Sequence, residues 1–256
     1  MALRTTTRSG SSIAFADDGD GPAVVFVHGL GDDHSTWDSI VERLVSRRRC
    51  IRIDVRGQGA SGPAPTYETL ELSYDLDAVV EELGLEKPFL VGHSLGGFIA
   101  TTYAARREVR GVLNVDQSLQ IVGMAQGVRP LKDVLTNGDY VAVVRSVIES
   151  IGYGRLDEPA RAAHVERLKM LRREVLLGAW HVLLEDSDDV LGEKLSTLSN
   201  IRAPYHALHG NPLPSGYATW LAELIEGATT EVWEGNGHYP HVSEPSRFAE
   251  LVLAKS

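Results

Sequence analysis

The chain has 256 residues, and its 25 Lys and Arg against 35 Asp and Glu give a formal charge of −10. At about 150 residues per domain, this length allows one large domain or two small ones. An acidic chain disfavours nucleic acid and anionic membranes as partners, because both attract basic surfaces. The single Cys excludes an intrachain disulfide. The N-terminus lacks the apolar core of a signal peptide, and no apolar run approaches the ~20 residues that span a bilayer. A soluble, cytoplasmic protein is expected.

Short apolar runs alternate with longer helical patterns along most of the chain. Continuous apolar runs are typical of strands buried on both faces, and they predict strands at residues 22–28, 50–54, 88–93, 111–116, 205–209 and 229–233. Helical patterns between and after them predict helices at residues 37–45, 67–83, 95–106, 216–225 and 245–253. This alternation is typical of the α/β class, with a mostly parallel central sheet flanked by helices. Residues 12–16 are expected to add an antiparallel edge strand.

The stretch 119–199 interrupts the alternation. It contains no convincing strand, and the helical patterns at 139–151, 158–173 and 175–184 are separated by glycines and by the acidic run 185–189. Since strand patterning resumes at Tyr205, we interpret 119–199 as a helical cap inserted into a core of residues 1–118 and 200–256. A separate C-terminal half is the alternative.

The segment Gly92-His93-Ser94-Leu95-Gly96 directly follows a predicted strand and directly precedes a predicted helix. A G-x-S-x-G sequence in that context is typical of a nucleophile elbow, in which the serine lies on a strained turn between strand and helix. The flanking glycines avoid the collisions that Cβ atoms would cause. The sequence therefore predicts Ser94 as a nucleophile, with a tight turn and an incidental serine as the alternative.

Two backbone amides are expected to form an oxyanion hole, because the charge of a tetrahedral intermediate needs preorganised donors. One is the amide of Leu95, directly after the nucleophile. The other is the amide of Leu30 in His28-Gly29-Leu30-Gly31, which follows an early strand. We interpret His28 as a hydrogen-bonded support of this loop. A plain glycine-rich turn is the alternative.

A histidine on the loop after the last predicted strand is the expected base. His238 lies at the apex of this loop, and the order serine before histidine matches hydrolases. His241, beside the start of the last helix, is expected to pack or cap, and His164 is expected on an exposed helix. With one Cys and no H-E-x-x-H sequence, neither a metal site nor a cofactor is expected.

The carboxylate that should orient His238 is missing from its usual position, the loop after the penultimate strand. That loop, residues 210–216, holds Asn211 but no Asp or Glu. An Asn cannot compensate an imidazolium charge as a carboxylate does. Another strand end is therefore expected to supply the acid.

Asp116 is the preferred acid. It ends the strand after the nucleophile helix, and a carboxylate at the end of a buried apolar strand needs a partner. Capping a turn or pairing with an arginine is the alternative for it. Asp54 also ends a strand, but Arg56 is expected to pair with it. The acids of the run 185–189 are expected to form a solvated face.

Together these motifs resemble the α/β-hydrolase fold family. The resemblance covers residues 21–119 and 203–256, and the segment between them is at the position of that family's cap. It rests on His28-Gly29, Asp54-x-Arg56-Gly57-x-Gly59-x-Ser61, Gly92-His93-Ser94-Leu95-Gly96-Gly97 and Gly237-His238, in that order.

The acid departs from the family's usual pattern, which has Asp on the loop occupied here by residues 211–214. A minority of the family, including one subtype of haloalkane dehalogenases and the zearalenone-type lactonases, has Asp or Glu after the strand that follows the nucleophile helix. Asp116 matches that placement. Because dehalogenases use an Asp nucleophile, Ser94 argues against their chemistry, and the acid placement is similar to that of the lactonases.

The sequence thus predicts a serine hydrolase that cleaves a carboxylic ester or lactone through an acyl-enzyme on Ser94. The expected partner is a small hydrophobic ester or lactone, and a homodimer is compatible with the sequence. Candidate substrate-binding residues are Gly29, Trp37, Met124, Tyr140, Tyr153, Trp180, Leu213 and Tyr217. Core packing is the alternative for each of the aromatic and aliphatic side chains among them. The alternatives are a C–C bond hydrolase, a cofactor-free haloperoxidase or lyase, and a non-enzymatic ligand receptor.

Overall fold

The computed structural model describes residues 3–256. Within them, eight strands form one sheet. The strands are β1 (Arg4–Arg8), β2 (Ser11–Asp18), β3 (Ala23–Val27), β4 (Arg49–Ile53), β5 (Phe89–His93), β6 (Gly111–Val115), β7 (Tyr205–His209) and β8 (Thr229–Val232). Their order is β1-β2-β4-β3-β5-β6-β7-β8. The first two strands are antiparallel to their neighbours, and β3 to β8 are parallel to one another.

Helices connect the parallel strands and cover both faces of the sheet. The α-helices are α1 (Asp38–Leu44), α2 (Thr69–Glu82), α3 (Leu95–Ala104), α4 (Ile121–Val128), α5 (Lys132–Asn137), α6 (Tyr140–Ile151), α7 (Glu158–Leu168), α8 (Arg173–Ala179), α9 (His181–Glu185), α10 (Asp188–Ser196), α11 (Tyr217–Leu224), α12 (Pro240–Ser243) and α13 (Pro245–Lys255). None of the helices in residues 3–256 has the length and apolar character needed to cross a membrane.

Side chains alternate between two hydrophobic cores along each central strand. In β3, Val25 and Val27 pack with α2, α3 and α11, whereas Val24 and Phe26 pack with α1 and α13. Burial on both faces is why these strands are continuous apolar runs in the sequence. The α/β fold class with a mostly parallel sheet, predicted from those runs, is confirmed.

Between β6 and β7 the chain forms the helices α4 to α10. Residues 121–200 are called the cap below. The cap has a hydrophobic core of its own, which includes Val144 and Val175. The same core contains Tyr67 and Tyr239 from outside the cap, so the cap is packed onto the sheet domain rather than tethered to it.

Several elements differ from the sequence-based prediction. The edge strand is β1, not residues 12–16, which form part of β2 inside the sheet. β1 contains no apolar residue, so hydrophobic periodicity does not detect it, although its three threonines favour strands. The predicted helix 158–173 ends at Leu168, and 175–184 contains the end of α8 and most of α9. The sequence does not predict helices α4, α5, α10 and α12.

Candidate active site

The carboxyl ends of the parallel strands meet at one edge of the sheet, where ligands bind in open α/β sheets. Residues His28 to Gly31 follow β3 there, Ser94 follows β5, and Asp116 follows β6. The loop from β8 to α12 carries His238 to the same place. The parallel strand order therefore brings together motifs that are far apart in the sequence.

Ser94 lies on a strained elbow between β5 and α3. Its backbone angles are φ 50° and ψ −123°, a region that costs a non-glycine residue about 1–3 kcal/mol. A Cβ at Gly92 would collide with the carbonyl of Gly96, and one at Gly96 would collide with the carbonyl of Val27. The Ser94 amide donates to the Val115 carbonyl at 2.9 Å, which anchors the turn to β6.

The loop after β3 is held from behind by His28. Nδ1 of its buried ring donates to the Gly29 carbonyl at 2.7 Å, and Nε2 accepts from the Val55 amide at 3.0 Å. The interpretation of His28 as a support of this loop is confirmed. Within residues 3–256, the amides of Leu30 and Leu95 donate to no protein acceptor. For Leu95 this is expected, because the first amides of a helix have no acceptor within the helix. Both amides are available to an oxyanion.

Asp116 contacts two histidines and a backbone amide. Its Oδ2 lies 2.6 Å from His238 Nδ1, and its Oδ1 accepts from the Gly210 amide at 2.9 Å. His209 Nδ1 lies 3.6 Å from Oδ1. Burial alone would raise the pKa of this carboxyl, but the interactions with His209, His238 and Gly210 outweigh burial and hold its pKa well below the ordinary range. Asp116 is therefore ionised, and as a pure acceptor it fixes the proton of His238 on Nδ1.

The backbone of Asp116 is also unusual, with φ at 53°. Asp tolerates this left-handed region better than most residues, but it remains uncommon outside glycine. Strained residues of this kind concentrate at functional sites. Besides Ser9 on the β1–β2 turn, the non-glycine residues in 3–256 with positive φ are Ser94 and Asp116.

Asp54 does not pair with Arg56, so that expectation is wrong. Its Oδ1 accepts from the His34 amide at 2.7 Å and lies 2.9 Å from His34 Nδ1, and its Oδ2 accepts from the Ala60 amide at 2.9 Å. Arg56 instead donates to Asp75 of α2 at 2.6 Å. The hydrogen bond to Asp54 raises the pKa of His34. With its oxygens committed to these donors, Asp54 is a structural carboxylate.

The acidic run 185–189 lies on the cap surface, as expected. Glu185 pairs with Lys132 at 2.7 Å, and Asp188 with Arg129 at 2.7 Å. These residues do not line the cavity beside Ser94.

A cavity of about 300 Å³ opens beside Ser94, His238 and Asp116. One apolar wall is a single face of α6, which presents side chains at helical spacing. Those residues are Val144, Val147, Ile148 and Ile151. Of the candidate oxyanion and substrate-binding residues, Gly29, Leu30, Met124, Trp180 and Leu213 line the cavity. The sequence did not identify α6 as the wall, since its apolar face is equally typical of a core helix.

Trp37 and Tyr217 do not line the cavity, so the prediction that they contact substrate is wrong. Trp37 is fully buried on the opposite side of the sheet, where its ring lies 4.6 Å from that of His241. The Tyr217 ring is buried 5.4 Å from that of His209, and its hydroxyl accepts from the Leu119 amide at 3.2 Å. Both residues lie next to predicted loops, and the sequence does not indicate on which face of the sheet such a side chain packs.

Tyr140 and Tyr153 are also absent from the cavity wall, contrary to the prediction. The Tyr140 hydroxyl donates to the Leu171 carbonyl at 2.8 Å inside the cap. The Tyr153 hydroxyl lies 3.2 Å from Nδ1 of His164. Both rings pack against the hydrophobic core that the cap shares with Tyr67 and Tyr239.

His164 is buried, with 2% of its surface exposed, rather than on an exposed helix as expected. Its Nε2 is 2.8 Å from the Tyr239 hydroxyl, and both residues line the cavity. Burial lowers the pKa of His164 to about 4. Tyr239 is 75 residues away from His164 in the sequence. No local sequence pattern could therefore predict this contact.

His241 packs, as expected. It is fully buried, and its ring lies 4.4 Å from that of His93 and 4.6 Å from that of Trp37. Burial lowers its pKa to about 3. His93 in turn donates from Nε2 to the carbonyl of His238 at 2.8 Å, which links the elbow to the histidine loop.

The part of the chain described by the structure contains no group of three or more His, Cys, Asp or Glu side chains arranged to hold a metal ion.

Comparison with known proteins gives the same fold. Residues 24–251 match the alpha/beta hydrolase family. The chain belongs to this family. An uncharacterized protein of Mycobacterium tuberculosis is 26% identical over 275 residues, which cover 98% of this chain and 80% of that protein. An sn-1-specific diacylglycerol lipase of Mus musculus is 27% identical over 263 residues, which cover 93% of this chain and 82% of the lipase.

Solved structures of other alpha/beta hydrolases superimpose over almost the whole chain. An enzyme that degrades N-acyl homoserine lactones has a TM-score of 0.80 at 22% identity, covering 99% of this chain and 100% of that one. An esterase from Exiguobacterium antarcticum has a TM-score of 0.75 at 23% identity, covering 96% and 95%. At such identities the likeness shows the fold alone.

Proposed function

We propose that the protein is a serine hydrolase that cleaves a carboxylic ester or lactone through an acyl-enzyme on Ser94. The observation that carries the proposal is the 2.6 Å contact between His238 Nδ1 and Asp116 Oδ2 at the cavity that Ser94 also lines. A base oriented by a buried carboxylate, next to a serine on a strained elbow, is the arrangement that activates a hydroxyl for acyl transfer.

In the proposed reaction, the Ser94 hydroxyl oxygen attacks the substrate carbonyl carbon while its proton passes to Nε2 of His238. Asp116 stabilises the imidazolium that forms and holds the ring in place. The amides of Leu30 and Leu95 donate to the new oxyanion. Collapse of the intermediate breaks the C–O bond, and His238 returns the proton to the leaving alkoxide oxygen.

The second half of the reaction regenerates the serine. A water molecule gives one proton to His238 Nε2 and attacks the acyl carbon, forming a second tetrahedral intermediate at the same amides. Its collapse breaks the bond to Ser94 Oγ, which takes the proton back from His238. The carboxylic acid product, or the opened hydroxy acid of a lactone, is released.

The apolar wall of α6 supports a substrate with a hydrophobic acyl or ring portion. The ester and lactone classes are favoured by the names of the relatives, which include a lipase, an esterase and a lactone-degrading enzyme. No contact in the cavity favours a C–C bond hydrolase, a haloperoxidase, a lyase or a receptor over an ester or lactone hydrolase.

A substrate panel tests the proposal. We expect turnover of p-nitrophenyl esters and of acyl-substituted lactones by the purified protein, abolished in Ser94→Ala. Cleavage of vinylogous diketones without ester turnover would indicate a C–C bond hydrolase. Halogenation by peroxide and halide in a carboxylate buffer, without ester turnover, would indicate a haloperoxidase. Thermal stabilisation by esters or lactones without any turnover would indicate a receptor.

A further inference from the structure

Three backbone segments meet beside the catalytic histidine. One is the last residue of α6 and the turn that follows it in the cap, residues 151–154. The second is Gly210–Asn211 after β7, and the third is the loop Asn236–His238. The His238 amide donates to the carbonyl of Gly152 at 2.8 Å, so a cap residue binds the main chain of the proposed base.

The side chain of Asn211 binds the same turn. Its Nδ2 donates to the carbonyl of Ile151 at 2.6 Å. Gly237 closes the cluster by donating from its amide to the Gly210 carbonyl at 3.2 Å. Consecutive carbonyls of the turn, at Ile151 and Gly152, thus accept from two different core loops.

Glycine is required where these segments touch. A Cβ at Gly154 would collide with the backbone of Asn236, and one at Gly237 would collide with the carbonyl of Gly152. Both glycines also have positive φ, 55° and 60°. A Cβ at Gly210 would collide with the carbonyl of Gly237. The contact is therefore backbone against backbone, with no flexible side chain to absorb a displacement.

We propose that the cap turn 151–154 is a positioning element for the base His238, and that Asn211 is the positioning residue that locks the turn in place. The inference rests on the proposed function, since it assigns a task only if His238 is the base. Asn211 lies on the loop where the family usually has its acid. Here its side chain donates to a carbonyl, which an ionised carboxylate cannot do.

The turn couples the base to the substrate wall. Ile148 and Ile151 line the cavity from α6, and Ile151 also provides the carbonyl that Asn211 binds. The helix that contacts the substrate and the turn that holds His238 are therefore continuous. A shift of the turn would move the His238 backbone, and with it the ring that must reach both Asp116 and Ser94.

The first test is Gly154→Ala, with Gly84→Ala as the matched control. Gly84 has nearly the same backbone, φ 60°, but open space around its Cβ position, and it lies between α2 and β5. The control therefore carries the same backbone strain without the clash. We expect kcat for a p-nitrophenyl ester to fall by about 10- to 100-fold in Gly154→Ala, as small misplacements of catalytic groups do. KM should stay within about threefold, because Gly154 lines no part of the cavity. Gly84→Ala should keep the wild-type kcat.

The second test compares Asn211→Ala with the isosteric Asn211→Asp. Removal of the donor should lower kcat, and the carboxylate should lower it further, because its oxygen would face the Ile151 carbonyl oxygen. A role limited to folding would lower Tm in both variants but leave kcat unchanged well below Tm. If Gly154→Ala does not fold, the Asn211 pair decides.

Wild-type enzyme and Ser94→Ala are assayed in parallel to separate the two claims. Turnover that survives in Ser94→Ala overturns the proposed function itself. Turnover that depends on Ser94 and His238, yet persists at the wild-type kcat in Gly154→Ala and Asn211→Asp, overturns the positioning role alone. Loss of kcat in these variants with a normal control establishes it.

Discussion

Oδ2 of Asp116 lies 2.6 Å from Nδ1 of His238, across 122 residues of sequence. The two residues follow different strands, and the parallel order of the sheet places both at its carboxyl edge. The loop after β7 lies next to them, and there the amide of Gly210 donates to the other oxygen of Asp116. That loop thus supports the carboxylate instead of supplying one.

Replacing this carboxylate by its amide should disable the base. In Asp116→Asn, the amide group can donate to Nδ1 and so favours the wrong tautomer of His238, which leaves no lone pair on Nε2 for the Ser94 proton. We expect kcat to fall by about 10³- to 10⁴-fold, with little change in the thermal unfolding curve. Steady-state ester hydrolysis provides the measurement.

The matched control is Asp188→Asn, which makes the same change in the surface acids of the cap. Asp188 pairs with Arg129 on the surface, and it should be replaceable without loss of kcat. If Asp116→Asn keeps the wild-type kcat, Asp116 is not the acid that orients His238. If Asp188→Asn lowers kcat as strongly, the effect is not specific to Asp116.

The two histidines of the last loop should respond in opposite ways. His238→Gln should be nearly inactive, because it removes the only proposed proton acceptor. His241→Phe should retain most of the activity, because His241 acts as a ring in the stack with His93 and Trp37 and its nitrogens are not used in the mechanism. Kinetics of the two purified variants on one ester checks this, and the reverse ranking would reassign the base.

Buried neutral histidines should make the fold sensitive to acid. Burial lowers the pKa of His241 to about 3 and that of His164 to about 4, whereas unfolded histidine titrates near 6.5. As the pH falls below about 6.5, the unfolded chain binds protons that the folded protein does not. Each histidine then removes about 1.4 kcal/mol of folding free energy per pH unit until its folded pKa is reached.

Urea unfolding at several pH values between about 7 and 5 measures this slope. His241→Phe should make the slope shallower than in the wild type, since it removes one of the groups that titrate only after unfolding. An identical slope in the variant would mean that His241 is protonated in the folded protein or does not contribute.

The α6 wall should control the length of the acyl chain. Val147→Trp adds bulk inside the cavity and should raise KM for long-chain p-nitrophenyl esters far more than for the acetate, with kcat for the acetate retained. Val190→Trp is the matched control, because Val190 lies exposed on α10 away from the cavity. Equal effects on short and long esters would show that the substrate lies elsewhere.

The sheet and its strand ends could be predicted from the sequence because their physical cause is local. A strand buried on both faces must be apolar throughout, and each of the six predicted parallel strands lies within two residues of its observed bounds. Since parallel strands share a carboxyl edge, the residue that follows each strand could be placed near the others. That argument, together with the absence of Asp and Glu from the loop 210–216, predicts Asp116 beside His238.

The cavity wall could not be predicted, because a helical apolar face shows that it is buried but not against what. In α6, Val144 and Ile148 belong both to the cap core and to the cavity lining. Trp37 was a candidate for substrate contact because it lies on a loop before α1. In the structure, Trp37 and α1 pack in the hydrophobic core on the face of the sheet opposite α2 and α3. The contact of His164 with Tyr239 depends on how the cap packs against the loop that carries His238. A local sequence pattern contains no information on that packing.

The most direct test of the central claim is labelling with a fluorophosphonate probe followed by mass spectrometry of the modified peptide. A serine activated by a histidine attacks the phosphorus without any need to know the substrate. We expect a single modification, on Ser94, that is absent in Ser94→Ala and strongly slowed in His238→Gln and Asp116→Asn. An unlabelled wild-type protein, or a probe attached to another residue in Ser94→Ala at the wild-type rate, would contradict the assignment of Ser94 as the nucleophile.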